Sequence, residues 1–203
     1  EVIFPKSSVG ATEQGILAAV LAEGKTVFTG CAREPEITWL CQYLTGMGAK
    51  IEILENGSIC IEGVKKLHPG SGTIPPDRIV AGTYLMAVAA TRGEIILENP
   101  PIYEMHAILE VYRKMGGQCH RIGGKLIVNG KNAGFPLELL ETDVYPGFPT
   151  DLHLQFAAMM CRSNGGCEIE ETLFENRYKY IEELKKTGGN IEVFQKKAII
   201  KGV

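Results

Sequence analysis

The sequence lacks any long apolar run. The longest one without a charge spans residues 15–22, far short of the roughly 20 residues that a membrane-spanning helix needs. A signal-peptide pattern is also absent, and the chain opens on Glu1 rather than Met, so we expect a cut or processed piece of a longer protein. No membrane partner is expected.

An excess of positive charge is missing as well. The formal net charge is -3, so the basic footprint of a nucleic-acid-binding protein is absent and no nucleic-acid partner is expected. The length of 203 residues suits one large domain or two small ones, and 45% hydrophobic and 22% charged residues are ordinary for a packed protein. The single tryptophan, Trp39, stands at helical spacing from Ile37, Leu40 and Leu44, which predicts a core position.

Metal-binding patterns are absent too. None of the six cysteines forms a Cys-x-x-Cys pair, and the four histidines are scattered along the chain. We therefore predict no metal and no cofactor. The cysteines are interpreted as reduced, mostly buried thiols of a cytoplasmic protein.

The chain instead contains one supersecondary unit in three copies. In each copy an amphipathic helix ends at a glycine, where a left-handed cap is wanted, in residues 47–50, 115–118 and 187–190. A short strand, a turn and a second strand follow each of these glycines. Upstream of each amphipathic helix lie a strand and an almost wholly apolar helix, predicted over residues 15–22, 84–90 and 152–161.

These copies predict an α/β (α+β) fold of repeated βαβαββ-like units. The apolar inner helices should be buried on every side, with sheets around them and the amphipathic helices outside. We expect an additional leading strand before at least the second and third copies. The linker is predicted at Gly70-Ser71-Gly72 with Pro75-Pro76, and Phe135-Pro136 opens the second junction.

Residues 145–151, Tyr-Pro-Gly-Phe-Pro-Thr-Asp, form a rigid entry into the third inner helix. The prolines hold the backbone extended, so Thr150 or Asp151 is predicted to cap the helix and to place a carboxylate at its positive end. Asp151 is either an ordinary capping residue or a carboxylate that the corner aims into a cleft. If the three inner helices run parallel, their starting ends open on one side, where free backbone N–H groups favour anions.

The start of the first inner helix has two interpretations. A Ser8 cap followed by Gly10 allows a phosphate to approach the backbone closely, and Lys6 adds a positive charge. The same residues also suit an ordinary serine cap. Pro76-Asp77-Arg78, at the second inner helix, is predicted to cap that helix and to pair charges.

The starts of two outer helices are equally ambiguous. Glu34 and Glu36 flank Pro35, and acids are favourable in a first helical turn whether or not they have a function. Residues 171–177, Glu-Thr-Leu-Phe-Glu-Asn-Arg, form either a structural salt-bridge corner or an apolar shelf beside a bound ring.

Taken together, these segments resemble the enolpyruvyl transferase family, in particular UDP-N-acetylglucosamine 1-carboxyvinyltransferase. The resemblance covers essentially the whole chain, in the same order and near-identical spacing, and its most specific pieces are Phe-Pro-Thr-Asp and Phe-Glu-Asn-Arg. It rests on residues 6–12, 32–36, 76–83, 146–151 and 174–177.

The resemblance implies a two-domain enzyme of six units with its active site in the cleft between the domains. This chain corresponds to the middle three units. Residues 1–69 would belong to one domain and residues 70–203 to the other. Such an enzyme transfers enolpyruvyl from phosphoenolpyruvate to the 3-hydroxyl of UDP-N-acetylglucosamine and releases phosphate, in peptidoglycan precursor synthesis.

The resemblance also implies roles for individual residues. Asp151 matches the base that accepts the proton of the sugar hydroxyl; because an aspartate is ionised at neutral pH, it is a weak base that works mainly by position. Thr150 accompanies it in the substrate site. The nucleotide diphosphate would be held by Lys6, Ser8, Val9 and Gly10, and the apolar contact near the substrate would come from Leu173 and Phe174. Further positions around the cleft are matched by Glu34, Glu36 and Arg177.

The chain departs from the family in two respects. None of the six cysteines matches the family's acid cysteine on its mobile loop, and most of the phosphoenolpyruvate site would lie outside residues 1–203, so we expect this chain alone to be inactive. His153 stands where the family usually has glutamine; it either alters the protonation of the base or faces solvent. The alternatives are a shikimate 3-phosphate enolpyruvyl transferase relative and a non-catalytic nucleotide-sugar-binding paralogue. Self-association of the chain is expected, because the missing units would leave apolar surface exposed.

Overall fold

The computed structural model describes residues 1–202, which divide into two compact units. The first unit is Glu1–Pro75, and the second begins at Pro76. The division falls between Pro75 and Pro76, within the Gly- and Pro-rich stretch that was predicted as the linker. The assignment of residues 1–69 and 70–203 to two domains of a longer enzyme stays a prediction.

The first unit is a four-stranded sheet with two helices. Its elements in chain order are β1 (Val2–Ile3), α1 (Val9–Ala19), β2 (Lys25–Thr29), α2 (Pro35–Gly46), β3 (Lys50–Ile53) and β4 (Ile59–Glu62). The strand order is β1-β2-β4-β3; β1 pairs parallel with β2, and the other neighbours are antiparallel. The core of the unit lies between α1, α2 and this sheet, around Ile16, Ile37 and Ile61.

The second unit contains two further sheets. Its first half has α3 (Arg78–Thr91), β5 (Glu94–Glu98), α4 (His106–Lys114), β6 (Gln118–Ile122) and β7 (Lys125–Asn129), with strand order β5-β7-β6. Its second half has β8 (Leu139–Glu141), α5 (His153–Met160), β9 (Gly166–Glu170), α6 (Ile181–Lys186), β10 (Asn190–Phe194) and β11 (Lys197–Lys201), with strand order β10-β11-β9-β8. Short 3₁₀ turns occur at Ile102–Met105 and Thr150–Leu152. One continuous core joins both halves around α3 and α5.

The predicted repeat is confirmed. The same order of helix, strand, helix, strand and strand recurs as α1 to β4, α3 to β7 and α5 to β11. The glycines that end the outer helices are all left-handed, with φ of 95° at Gly48, 89° at Gly116 and 95° at Gly188. Only glycine takes this conformation without steric cost, so the recurring glycine was a reliable marker of each helix end.

The predicted leading strands are partly wrong. Strands precede the first and third copies, as β1 and β8, but residues 63–77 before the second copy form no strand in the part of the chain that the structure describes. Glycines and prolines in this stretch explain the absence, because proline has no N–H to donate to a neighbouring strand.

The expected burial of the inner helices is also only partly correct. Phe156, Ala157 and Met160 of α5 are completely buried, but α1 exposes Leu17 (47%). Within the first unit α1 packs with one face only, although its sequence is apolar on several faces. Trp39, predicted to lie in the core, is 42% exposed, because the buried face of α2 is formed by Ile37, Cys41 and Leu44.

All six cysteines are free thiols, three buried and three half-buried. Within residues 1–202, no helix combines the length and apolar character that crossing a membrane requires.

Candidate functional site

The corner before α5 holds its two polar side chains differently from the predicted cap. Thr150–Leu152 form a 3₁₀ turn, Leu152 is the N-cap of α5, and no side chain caps that helix. The predicted capping by Thr150 or Asp151 is therefore wrong. Both side chains instead bond to the segment that follows β9: Thr150 to Glu171 and Asp151 to Arg177.

Asp151 lies at the surface of the second unit in an ion pair. Arg177 donates a hydrogen bond from Nη2 to Asp151 Oδ1. The Asp151 side chain is 62% exposed and that of Arg177 is 32% exposed. The guanidinium also lies over the ring of Phe174, 5.2 Å from its centre. The carboxylate is thus open to solvent while a cation, itself held by an aromatic face, orients it from one side.

Glu171 is the buried acid behind this surface, and sequence reasoning assigned it no role. It is 1% exposed. Its Oε2 accepts a 2.6 Å hydrogen bond from the Thr150 hydroxyl, and its Oε1 accepts bonds from the backbone N–H groups of Leu173 (2.9 Å) and Phe174 (3.0 Å). Burial by itself would raise the pKa of Glu171, but these three hydrogen bonds outweigh it and hold the pKa below its ordinary value.

His153 is buried beside Glu171 rather than facing solvent, so that alternative is wrong. The side chain is fully buried. Its Nδ1 lies 3.2 Å from the Tyr180 hydroxyl, and its Nε2, 3.8 Å from Glu171 Oε2, has no hydrogen-bond partner among the described residues. Burial lowers the pKa of His153 to about 4, against the opposing effect of the Glu171 charge. The ring is therefore neutral at neutral pH.

A signal for Glu171 was present in the sequence. Successive side chains of a strand alternate between its two faces, and Cys167 and Ile169 of β9 are buried. The same alternation places Glu171 on the buried face, although it is a charged residue just beyond the strand end. Tyr178 was missed as well; its hydroxyl lies 2.9 Å from the carbonyl oxygens of Ile169 and Lys196, which anchors the far end of the segment after β9.

The remaining predicted site residues gather at two helix starts in the first unit. Ser8 is the N-cap of α1 and accepts a hydrogen bond from the Ala11 N–H at 3.4 Å, so the predicted serine cap is confirmed. Val9 begins the helix, and nothing lies within 4 Å of the position that a Cβ on Gly10 would take. This leaves the backbone there open to a ligand. The Lys6 side chain, two residues before Ser8, is exposed.

The start of α2 lies close to that of α1. The Thr12 hydroxyl of α1 donates to the Ser8 carbonyl (2.8 Å) and accepts from the Ala32 N–H (3.1 Å), which ties together the segments that lead into the two helices. Glu34 is the N-cap residue of α2 but makes no side-chain cap bond, and Glu36 lies in the first turn.

The structure thus forms two groups, each within its own unit. The first unit brings together Lys6, Ser8, Val9, Gly10, Glu34 and Glu36. The second unit brings together Thr150, Asp151, Leu173, Phe174 and Arg177. Among residues 1–202, no group of three or more His, Cys, Asp or Glu side chains could hold a metal ion.

Comparison with known proteins identifies the class to which this fold belongs. The family described as EPSP synthase (3-phosphoshikimate 1-carboxyvinyltransferase) matches residues 1–203. The solved structure of the enolpyruvyl transferase NikO from Streptomyces tendae is similar over 95% of this chain and 46% of its own, with a TM-score of 0.83 and 21% sequence identity. That likeness shows the fold. The chain belongs to the EPSP synthase family of enolpyruvyl transferases.

More similar in sequence are proteins named UDP-N-acetylglucosamine 1-carboxyvinyltransferase. The one from Sinorhizobium fredii (strain NBRC 101917 / NGR234) is 43% identical over 202 residues, covering 99% of this chain and 47% of the relative. The one from Methylobacterium sp. (strain 4-46) is 40% identical over 203 residues, covering 100% of this chain and 47% of the relative. The chain therefore spans about half the length of the curated relatives it matches.

Proposed function

We propose that this chain is the central part of an enzyme that transfers enolpyruvyl from phosphoenolpyruvate to the 3-hydroxyl of UDP-N-acetylglucosamine. The observation that carries the proposal is 40–43% identity, over the whole chain, with relatives named for that reaction. The exposed Asp151 carboxylate, oriented by Arg177 on a turn anchored to a buried acid, supports it chemically. Such an enzyme supplies peptidoglycan precursors.

In the proposed reaction Asp151 is the base. The sugar hydroxyl oxygen bonds to the central carbon of the enolpyruvyl group and its proton passes to Asp151. The methylene carbon takes a proton from an acid that the remainder of the complete protein supplies, which gives a tetrahedral ketal. Expulsion of phosphate with loss of a methyl proton then restores the double bond. Since Arg177 bonds Oδ1, Oδ2 is the oxygen that meets the hydroxyl, and the base acts by its fixed position.

The other residues have binding roles in this proposal. Lys6 and the α1 start (Ser8, Val9 and Gly10) hold the diphosphate, because exposed backbone N–H groups and a lysine suit its negative charge. Leu173 and Phe174 form the apolar contact near the substrate, and Thr150 stands beside the base. Glu34 and Glu36 are further cleft residues.

The test is Asp151→Asn in the complete protein that carries this chain. A positioned general base contributes about 10²- to 10⁴-fold, so kcat should fall by at least about 10²-fold with little change in the KM for the nucleotide sugar. Asp143→Asn is the matched control, because Asp143 is an exposed aspartate that bonds only the neighbouring Val144 N–H among the contacts seen for its carboxylate, and it should leave kcat unchanged. Equal kcat in both variants would contradict the role of Asp151.

A second candidate is the transfer to shikimate 3-phosphate, which the family description favours. Calorimetric titration of the complete protein with UDP-N-acetylglucosamine and with shikimate 3-phosphate separates the two. Tighter binding of the nucleotide sugar is expected, and a preference for shikimate 3-phosphate would reject the first proposal. Binding of the nucleotide sugar without turnover would identify a non-catalytic paralogue instead.

We place the enzyme in the cytoplasm, because all six cysteines are free thiols, as is usual in a reducing compartment. We also expect the isolated chain to self-associate through exposed apolar side chains such as Leu17, Leu21 and Tyr84. Size-exclusion chromatography tests this, and a monomer peak that is independent of concentration would contradict it.

A further inference from the structure

A buried carboxylate joins the two segments that meet at Asp151. On one side, Glu171 Oε2 accepts the 2.6 Å bond from Thr150, the residue immediately before the proposed base. On the other side, Oε1 accepts the N–H groups of Leu173 and Phe174, which begin the loop that carries Arg177. Glu171 therefore lies between the backbone that places Asp151 and the backbone that places its cation.

This connection is difficult to break. Glu171 is 1% exposed, so its carboxylate cannot exchange these donors for water without opening the fold. The His153 ring is neutral at neutral pH, and its Nε2 stands 3.8 Å from Glu171 Oε2, beyond hydrogen-bond distance. The buried charge thus depends on its three donors. Leaving such a group unsatisfied costs about 1–3 kcal/mol or more, so separation of the two segments is disfavoured.

Each segment also has hydrogen bonds of its own. The turn is closed on itself by two backbone bonds, from the Leu152 N–H to the Pro149 carbonyl (3.0 Å) and from the His153 N–H to the Thr150 carbonyl. The loop is held by the Thr172 N–H, which donates to the hydroxyl of Thr142 just after β8 (3.1 Å). This contact does not involve the turn. Side-chain contacts between turn and loop include the surface pair of Asp151 with Arg177 and the buried bond of Thr150 to Glu171. His153, directly after the turn, also lies 3.2 Å from the Tyr180 hydroxyl. A surface pair between half-exposed side chains contributes little by itself.

We propose that Glu171 is a positioning residue for proton transfer at Asp151. It acts through Thr150 and through the loop that begins at Leu173, and its burial excludes contact with substrate. This inference rests on the proposed function of Asp151. In this proposal Glu171 keeps the Asp151 carboxylate aligned with Arg177. A misplacement of about 1 Å at a reacting centre lowers the rate by about 10²-fold.

The first experiment compares Glu171→Ala and Glu171→Gln in the complete protein. Glu171→Ala removes all three bonds, so kcat should fall by about 10²-fold while the KM for UDP-N-acetylglucosamine changes less than about threefold. Glu171→Gln can still accept the two N–H groups and can donate to the Thr150 oxygen, so an intermediate loss and partial rescue are expected. The matched control is Glu170→Gln at the end of β9. The Glu170 carboxylate lies 3.2 Å from Lys197 Nζ, and this variant should retain kcat.

The second experiment distinguishes positioning from a general structural role. Each Glu171 variant is combined with Asp151→Asn in a double-mutant cycle on kcat. If Glu171 acts through the base, its replacement has at most a twofold effect once Asp151 is asparagine. Glu171→Gln preserves the side-chain volume, so the same double-mutant cycle can be measured with it if Glu171→Ala does not fold.

Each outcome decides one of the two statements. The same loss of kcat in both backgrounds, or a loss below twofold for both Glu171 variants, would overturn the positioning role and leave the role of Asp151 intact. Unchanged kcat in Asp151→Asn alone would instead reject the proposed function, whatever the Glu171 variants show.

Discussion

Replacement of His153 by glutamine should remove a pH dependence of stability. Burial holds the pKa of His153 at about 4 in the folded protein, against an ordinary value of 6.5. The drop of about 2.5, at about 1.36 kcal/mol for each unit of pKa, corresponds to about 3 kcal/mol of unfolding free energy. Glutamine is neutral at every pH and can still bond the Tyr180 hydroxyl, which lies 3.2 Å from His153 Nδ1.

The direction follows from the lowered pKa. Below pH 6.5 the unfolded chain binds a proton that the folded ring does not, so the unfolding free energy falls as the pH drops from 6.5 to about 4. Above pH 6.5 both states are neutral and the contribution is fully retained. The neighbouring Glu171, whose folded pKa is also lowered, loses its contribution only below its ordinary value of 4.5. Between pH 7 and 5, His153 therefore dominates this cluster.

The assay is urea-induced unfolding of the complete protein at pH 7 and pH 5. Between these values the wild-type protein should lose about 2 kcal/mol more than His153→Gln, from the two pKa values of the ring. His120→Gln is the control, since that imidazole lies exposed on β6, and its pH profile should run parallel to the wild type. Parallel profiles for wild type and His153→Gln would refute the reasoning, because they would show that the buried ring takes up a proton like a solvated one.

Two further predictions concern local structure, both measured as changes in the urea midpoint. Asp77→Ala should cost about 1 kcal/mol, because Asp77 Oδ1 accepts the Ile79 and Val80 N–H groups at 2.6 and 3.1 Å, while Ser8→Ala should cost less, because its cap bond is 3.4 Å long; the reverse order would contradict the capping argument. Gly63→Ala should cost about 3 kcal/mol, because a Cβ there would lie 1.5 Å from the Ala22 carbonyl oxygen, whereas Gly46→Ala, with nothing within 4 Å, should be neutral or stabilising; equal effects would contradict the steric account.

The elements of the fold were largely predictable because local rules determine them. A glycine at a left-handed position ends each outer helix, as at Gly48, Gly116 and Gly188, and this conformation favours glycine because a Cβ would be strained there. Ser8 and Asp77 were predicted as caps, and both are confirmed. A cap bond joins a side-chain oxygen to a free backbone N–H two or three residues later, so it does not depend on distant segments.

Predictions failed where a distant segment competed for the same group. Thr150 or Asp151 was predicted to cap a helix, but Thr150 bonds Glu171 and Asp151 bonds Arg177, 21 and 26 residues later in the chain. Trp39 stands at the right spacing for a core residue. The buried face of α2, however, is a different one, formed by Ile37, Cys41 and Leu44. Apolar spacing defines a helix face only loosely, and packing selects which stripe is buried.

The amino-acid order by itself determined the threefold unit, the ends of its helices and the family to which the chain belongs, because each depends on short-range sterics and hydrogen bonds or on matched motifs. Tertiary structure alone decided that Glu171 joins the Asp151 turn to the Arg177 loop, and that His153 stays neutral. Both facts depend on burial and on contacts between segments far apart in the chain, and burial is a property of the packed fold rather than of any stretch of it.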